Sequence, residues 1–242
     1  MARALRSRSA WHLARFASGL CVAATVGACA SLDKAAPLEV RDDGQTAASV
    51  RAVWRLDPNR GHGIEMDYAQ QRGRDTSALG AGERLQLGSA VINGPESLRN
   101  EATVRSFHVA YNYLIPSSGA LEAEVFGGVG QMELKLRAQG SAPGAQINRT
   151  LGGVAIVGGI GPRLKLSPQF ALEGRLSLLA GTSTAKDYDK TSFDMALAYR
   201  PIRQMTLRAG YVWIKASVEH EFADSDIAAR LRGPYLGLTL NF

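Results

Sequence analysis

From residue 103 to its last residue the chain alternates apolar with polar or small side chains, and this period of two restricts it to strands. Phe107, Val109, Tyr111 and Tyr113 share one parity, with Ser106, His108, Ala110 and Asn112 on the other. Phe170, Leu172, Leu176 and Leu178 oppose Glu173, Arg175 and Ser177; Phe193, Met195, Leu197 and Tyr199 oppose Asp194, Ala196 and Ala198. Val154, Ile156 and Ile160 oppose Gly153, Ala155, Gly159 and Gly161, and Met205, Leu207, Tyr211 and Trp213 oppose Thr206, Arg208 and Gly210. The expected strands are 103–115, 120–134, 150–166, 169–181, 190–200, 204–216 and 229–242. Glycines inside such runs suit tight packing in a closed sheet. No segment after residue 30 approaches 18 consecutive apolar residues, so no membrane helix is expected.

The connections between these runs are sorted by length. Pro116-Ser117-Ser118-Gly119, Ser167-Pro168 and Pro201-Ile202-Arg203 are tight, whereas 137–149, 182–189 and 217–228 are longer and polar. Short and long connections in alternation fit an antiparallel meander through a membrane. An open sheet in lipid would leave its edge groups unsatisfied, so the sheet must close. The apolar parity then faces outward, with aromatics toward the strand ends, and the polar parity faces inward. Residues 62–71 (HGIEMDYAQQ) also alternate and make an eighth strand, with 72–102 as a long first outer loop. Adding 50–56 and a hairpin near 84–92 gives ten. Two chain ends on one side of the membrane require an even number. The expectation is an all-β, closed antiparallel up-and-down transmembrane β-barrel of eight strands, with ten as the alternative.

The N-terminal residues fit export. Arg3, Arg6, Arg8 and Arg15 precede the apolar run Phe16–Ala28 with no acid among them. A basic region followed by a short apolar stretch is the layout of a cleaved signal peptide, and the stretch is too short to span a bilayer as a helix. Ala28-Cys29-Ala30 is an A-x-A cleavage site; Val26-Gly27-Ala28-Cys29 resembles a bacterial lipobox, in which Cys29 becomes the lipidated first residue. Cleavage before Cys29 and cleavage after Ala30 both stay open. The expected organisation is a signal peptide over 1–28, a linker or N-terminal segment over 29–60, and a barrel over 61–242.

The charge balance excludes one class of partner. The formal charge of +6 belongs mostly to the export region, since residues 1–28 carry four arginines and no acid. The remainder has 24 basic against 22 acidic residues and no basic cluster, so nucleic acid is not an expected partner. Both cysteines lie in the export region, which leaves the body of the chain with no disulfide or thiol metal site.

The last strand ends on an aromatic residue: Leu236, Leu238, Leu240 and Phe242 share one parity, and Tyr235, Gly237, Thr239 and Asn241 the other. This ending resembles the closing strand of bacterial outer-membrane barrels. With Gly63-Ile64-Glu65-Met66-Asp67-Tyr68 and Leu166-Ser167-Pro168-Gln169-Phe170-Ala171-Leu172-Glu173, it makes residues 61–242 similar to the small outer-membrane β-barrel superfamily, the OmpA-like and opacity-type proteins. The resemblance implies an outer-membrane location and outer-membrane lipid around the barrel. It also implies recognition of Tyr235, Leu236, Leu238, Leu240 and Phe242 by the barrel-assembly machinery. The lipobox and the long segment before residue 61 depart from the family pattern.

The inward parity collects Glu65, Asp67, Arg163, Lys165, Glu173, Arg175, Asp194 and Arg208, with Glu122 and Glu124 as further candidates. A barrel of eight strands is only wide enough to be filled by side chains, so these charges should pair into a plug. Ser106 and His108 lie two apart on one strand face, roughly 7 Å by strand rise, too far for a nucleophile–base hydrogen bond. His220, between Glu219 and Glu221, reads as a loop residue. No nucleotide, metal or hydrolase motif is present, and no cofactor is expected. The expected function is a non-enzymatic barrel acting in the envelope or at the surface through its outer loops. The alternatives are a barrel enzyme acting on lipid A or phospholipid, and a lipid-anchored soluble barrel with apolar residues inward around a small ligand.

Overall fold

The computed structural model describes residues 34–36, 38–42, 47–57, 61–87, 89–115, 119–183, 186–220 and 227–242. The signal-peptide region and Cys29 lie outside the described residues. The described residues form strands and no helix: β1 (Lys34–Ala35), β2 (Leu38–Asp42), β3 (Ala47–Asp57), β4 (His62–Leu79), β5 (Glu83–Leu87), β6 (Ala90–Asn93), β7 (Glu96–Ile115), β8 (Leu121–Gln139), β9 (Gln146–Lys165), β10 (Phe170–Ser183), β11 (Lys186–Ile202), β12 (Met205–His220) and β13 (Ile227–Asn241).

Nine of these close a barrel in the order β3-β4-β7-β8-β9-β10-β11-β12-β13, and β13 returns to β3. Eight of the nine neighbour pairs are antiparallel. The closing pair is parallel, running from Tyr235↔Ala47 to Asn241↔Val53, and is extended by hydrogen bonds from Phe242 N to Val53 O (2.9 Å) and from Arg55 N to Phe242 O (3.0 Å). The count is therefore nine, neither eight nor ten. Residues 47–57, expected ahead of the barrel, form its first strand. The hairpin near 84–92 exists as β5 and β6, but it pairs with β1 in a separate three-stranded sheet. An odd count puts the two ends of the barrel on opposite rims. The chain enters β3 at what we call the upper rim and leaves β13 at the lower rim, where the β3–β4, β7–β8, β9–β10 and β11–β12 connections lie. Above Ala47, β2 continues the first stave, parallel to Ile227–Leu231 of β13.

The strands run further upward than the alternation suggested. Residues 72–102 are not a loop, because β4 and β7 pair without interruption up to Leu79↔Glu96. The β8–β9 pair likewise reaches Gln139↔Gln146, and β11–β12 reaches Lys186↔His220, which puts His220 in a strand rather than a loop.

Side-chain parity stays constant along each strand, but its chemistry inverts half-way up. In the lower half the outward residues are apolar and exposed, among them Met66, Tyr68, Phe107, Val129, Ile156, Leu172, Met195, Leu207 and Leu236. The outward apolar stretches Leu121–Val129, Phe170–Leu178 and Met205–Trp213 each cover nine residues. At about 3.3 Å per residue and a tilt near 40° they make a belt roughly 20–25 Å tall. Aromatics mark both edges. Trp54 stacks on Phe242 (5.3 Å) and Phe170 on Tyr199 (4.9 Å) below, while Phe193 packs against Trp213 (5.4 Å) above.

In the upper half the outward residues become polar: Arg72, Arg74, Arg105, Lys135, Arg137, Lys215 and Arg230. The inward ones become an apolar core of Val40, Leu98, Val104, Leu134, Leu136, Ile147, Val218 and Leu231. Leu85, Leu87 and Ile92 of the β5–β6 hairpin join that core at 1–3% exposure. Burial of each removes apolar area from water and contributes about 1.5–3 kcal/mol, which holds the hairpin across the upper opening.

Candidate functional site

The lower half of the barrel encloses charged side chains. Glu65 on β4 is fully buried, and Asp67, Arg51, Arg175 and Arg208 are 4–8% exposed. The strands impose this placement, since each residue is on the inward parity of a stave whose outward parity is apolar. Unpaired, such charges would be costly away from water; here each has a partner.

The network is built on two arginines that each bridge two acids. Arg175 donates from Nη2 to Glu65 Oε1 and from Nη1 to Glu124 Oε1 (2.5 Å). Arg51 donates from Nε to Asp67 Oδ2 (3.2 Å) and from Nη1 to Glu124 Oε1 (3.3 Å). Asn112 Nδ2 donates to Glu65 Oε2 and Glu124 Oε2, both at 3.0 Å, and its Oδ1 accepts from Arg55 Nη1 at 2.7 Å. His108 Nε2 lies 3.0 Å from Glu65 Oε1. A second cluster surrounds Arg208. It donates to Asp194 Oδ1 (2.7 Å) and to the Tyr235 hydroxyl (2.5 Å), and its Nε is 2.9 Å from Glu173 Oε2, while Glu173 Oε1 lies 3.3 Å from Arg163 Nε. Lys165 pairs with Glu122 at 2.5 Å and is half exposed, which places it at the lower mouth rather than in the lumen.

Phe126 is the apolar element in this set. The Arg175 guanidinium lies 3.6 Å from its ring centre and His108 stacks on it at 5.9 Å. Glycine makes the room, because a Cβ on Gly159 would stand 2.4 Å from Phe126 Cζ and 2.2 Å from Leu176 O.

The eight expected lumen residues thus divide into the central Glu65, Asp67 and Arg175, the flanking Glu173, Asp194, Arg208 and Arg163, and Lys165 at the mouth. Arg51 was missed because its strand was assigned to the N-terminal segment. Lys190 was missed because it sits at the level where parity inverts; its Nζ donates to Ser106 Oγ at 2.7 Å. In the lumen the cations Arg51, Arg163, Arg175, Lys190 and Arg208 face the acids Glu65, Asp67, Glu124, Glu173 and Asp194. The network separates two small cavities, one of about 60 Å³ above it and one of about 70 Å³ below.

Ser106 and His108 are both buried, and each is committed elsewhere, the serine to Lys190 and the histidine to Glu65. His62 hydrogen-bonds the Tyr111 hydroxyl on the outer face, with the Tyr113 ring 5.0 Å away. Among the described residues there is no cluster of His, Cys, Asp and Glu able to hold a metal. Leu236 and Phe242 are exposed outward, and Tyr235 and Thr239 are buried inward, with the Tyr235 hydroxyl 3.0 Å from Ser49 Oγ.

Comparison of the chain with family models, curated proteins and solved structures returned no match.

Proposed function

We propose that the protein is a non-enzymatic β-barrel of the bacterial outer membrane, with a sealed lumen and an upper half that extends into water as a surface for contacts. One observation carries this reading: a continuous outward apolar belt, nine residues deep on several staves and edged by aromatics, surrounds a charge-paired interior. In water such a belt has no stabilising reason to face out. In lipid it does, and a height of roughly 20–25 Å suits the hydrocarbon layer that outer-membrane barrels occupy. Closure leaves no strand edge unpaired in that layer.

The upper half has the opposite chemistry, polar outward and apolar inward, which is the pattern of a barrel standing in water. A calycin-like carrier needs apolar residues inward around an open cavity. Here the apolar interior is filled and covered by the β5–β6 hairpin, and the lower interior is ionic. The lower rim, with Phe242 and the proposed assembly signal Tyr235, Leu236, Leu238, Leu240 and Phe242, then faces the periplasm, and the hairpin-covered end faces outward. Export by the signal peptide, and lipidation if Cys29 is processed, belong to the same proposal.

The test is membrane behaviour of the expressed full chain. The reading requires recovery in the outer-membrane fraction, resistance to carbonate extraction, and a folded form that migrates differently in gels before and after heating. Release into the soluble fraction by carbonate, with a single gel form, contradicts it.

A further inference from the structure

The small cavity above the charge network is lined by two buried groups whose hydrogen-bonding capacity the protein leaves unused. Gln71 of β4 lies on the inward parity at 1% exposure, and neither its Oε1 nor its Nε2 has a hydrogen-bond partner. A primary amide buried in this way is costly and calls for a bound water or ion. Lys190 of β11 faces the same cavity. It is buried, and its Nζ donates to Ser106 Oγ at 2.7 Å. An ammonium has three donors, and among the described residues Ser106 takes one of them and no carboxylate pairs with the group.

The two groups are neighbours. Ser106 of β7 is the register partner of Ala69, and Gln71 is the next inward residue of β4, opposite Val104. Diagonal positions of this kind lie about 7–8 Å apart, within reach of long side chains. The Gln71 amide, the Ser106 hydroxyl and the Lys190 ammonium therefore border one space of about 60 Å³, room for a halide-sized ion with a water or two. The other charges on this cavity are engaged with one another. Asp67 holds Arg51 at 3.2 Å and Asp194 holds Arg208 at 2.7 Å, while the Arg175 guanidinium is shared by Glu65 and Glu124.

We propose that this cavity binds a single small inorganic anion of the chloride class, to which Lys190 Nζ, Gln71 Nε2 and the Ser106 hydroxyl donate. A water could satisfy the amide, but an anion also offsets the buried ammonium, and three convergent donor groups suit an acceptor better than a cation. The ion is structural: the staves close around it, and it fastens β4 and β7 to β11 across the lumen. This inference goes beyond the membrane reading and does not depend on it.

The experiment refolds the full chain in detergent, from chloride-free solution, over a series of concentrations of isotopically labelled sodium chloride. Sodium gluconate holds the ionic strength constant, and the label retained after desalting is counted. The proposal expects saturable retention approaching one chloride per folded chain. Lys190→Met is expected to raise the half-saturating concentration by about ten-fold or more, the effect of losing one hydrogen bond to a charged group. Should that variant fail to fold, Gln71→Leu, which replaces the unpartnered amide with an apolar side chain of similar size, must still raise it about ten-fold. Lys135→Gln removes a cation that pairs with Glu133 on the outer face, and should leave the value within about two-fold, since an exposed charge is screened. Crystals grown in bromide should show an anomalous scattering peak between Lys190 and Gln71. A folded wild type that retains no label means that water alone fills the cavity, and overturns the site. Retention that Lys190→Met and Gln71→Leu both leave unchanged, or that Lys135→Gln weakens as much, places the ion elsewhere and overturns it as well.

Discussion

Arg175 stands at the centre of the lower interior: it bridges Glu65 and Glu124 and lies against the face of Phe126. Removing one member of a buried ion pair strands its partners, which costs about 3–5 kcal/mol. Arg175→Met is therefore expected to lower the midpoint of unfolding in detergent by that free energy, measured by denaturant titration of the folded gel form. An unchanged midpoint contradicts the network. Gly159 tests the same region through shape. A methyl there would meet Phe126 and the Leu176 carbonyl at 2.4 and 2.2 Å, so Gly159→Ala forces the ring or the strand to move. Overpacking of this kind costs about 1–3 kcal/mol. The same titration reads it, and in the double variant with Phe126→Leu only the part of the cost due to the ring should disappear, since the Leu176 carbonyl stays in the way.

At the scale of the element, the β5–β6 hairpin is held by Leu85, Leu87 and Ile92 and by the hydrogen bond from Arg149 Nε to Leu87 O at 3.1 Å. Leu85→Asp puts an unpaired carboxylate into that apolar core, and the hairpin is expected to detach while the barrel stays closed. Limited proteolysis should then cut within 83–93 in the variant and not in the wild type. Cleavage that spreads into β8 or β9 would mean that the hairpin is not a separable cap.

The strands themselves show where sequence reasoning stops. Parity was legible throughout the lower half because outward apolar residues alternate with inward charges, glycines and serines. Much of the upper half was read as loops because its outward residues, such as Arg99 and Glu101 on β7, are polar, and the inward Leu98 and Ala102 were not recognised as the other face of the same strand. Alternation persists there with its sign reversed. The partner of β3 was not legible either: a strand's side-chain pattern does not depend on whether its neighbour is parallel or antiparallel, so 50–56 could be seen as a strand but not as the ninth stave. Arg51 was missed with it.

At the scale of the whole molecule, a charge-paired plug below and an apolar core above fill the axis, and the plug stands between cavities of about 60 and 70 Å³. The reconstituted protein is expected to show no steady single-channel current in planar bilayers; long-lived openings of uniform size would refute the sealed lumen. The central claim is that one constant parity meets lipid below and water above. Single cysteines placed at the outward positions Val125, Val129, Glu133 and Arg137 of β8, in a chain lacking Cys21 and Cys29, climb the barrel in steps of four residues. With an environment-sensitive fluorophore at each and a quencher confined to the acyl chains, the account predicts strong quenching at 125 and 129 and a sharp loss at 133 and 137. Equal quenching at all four positions, or none at any, would contradict it.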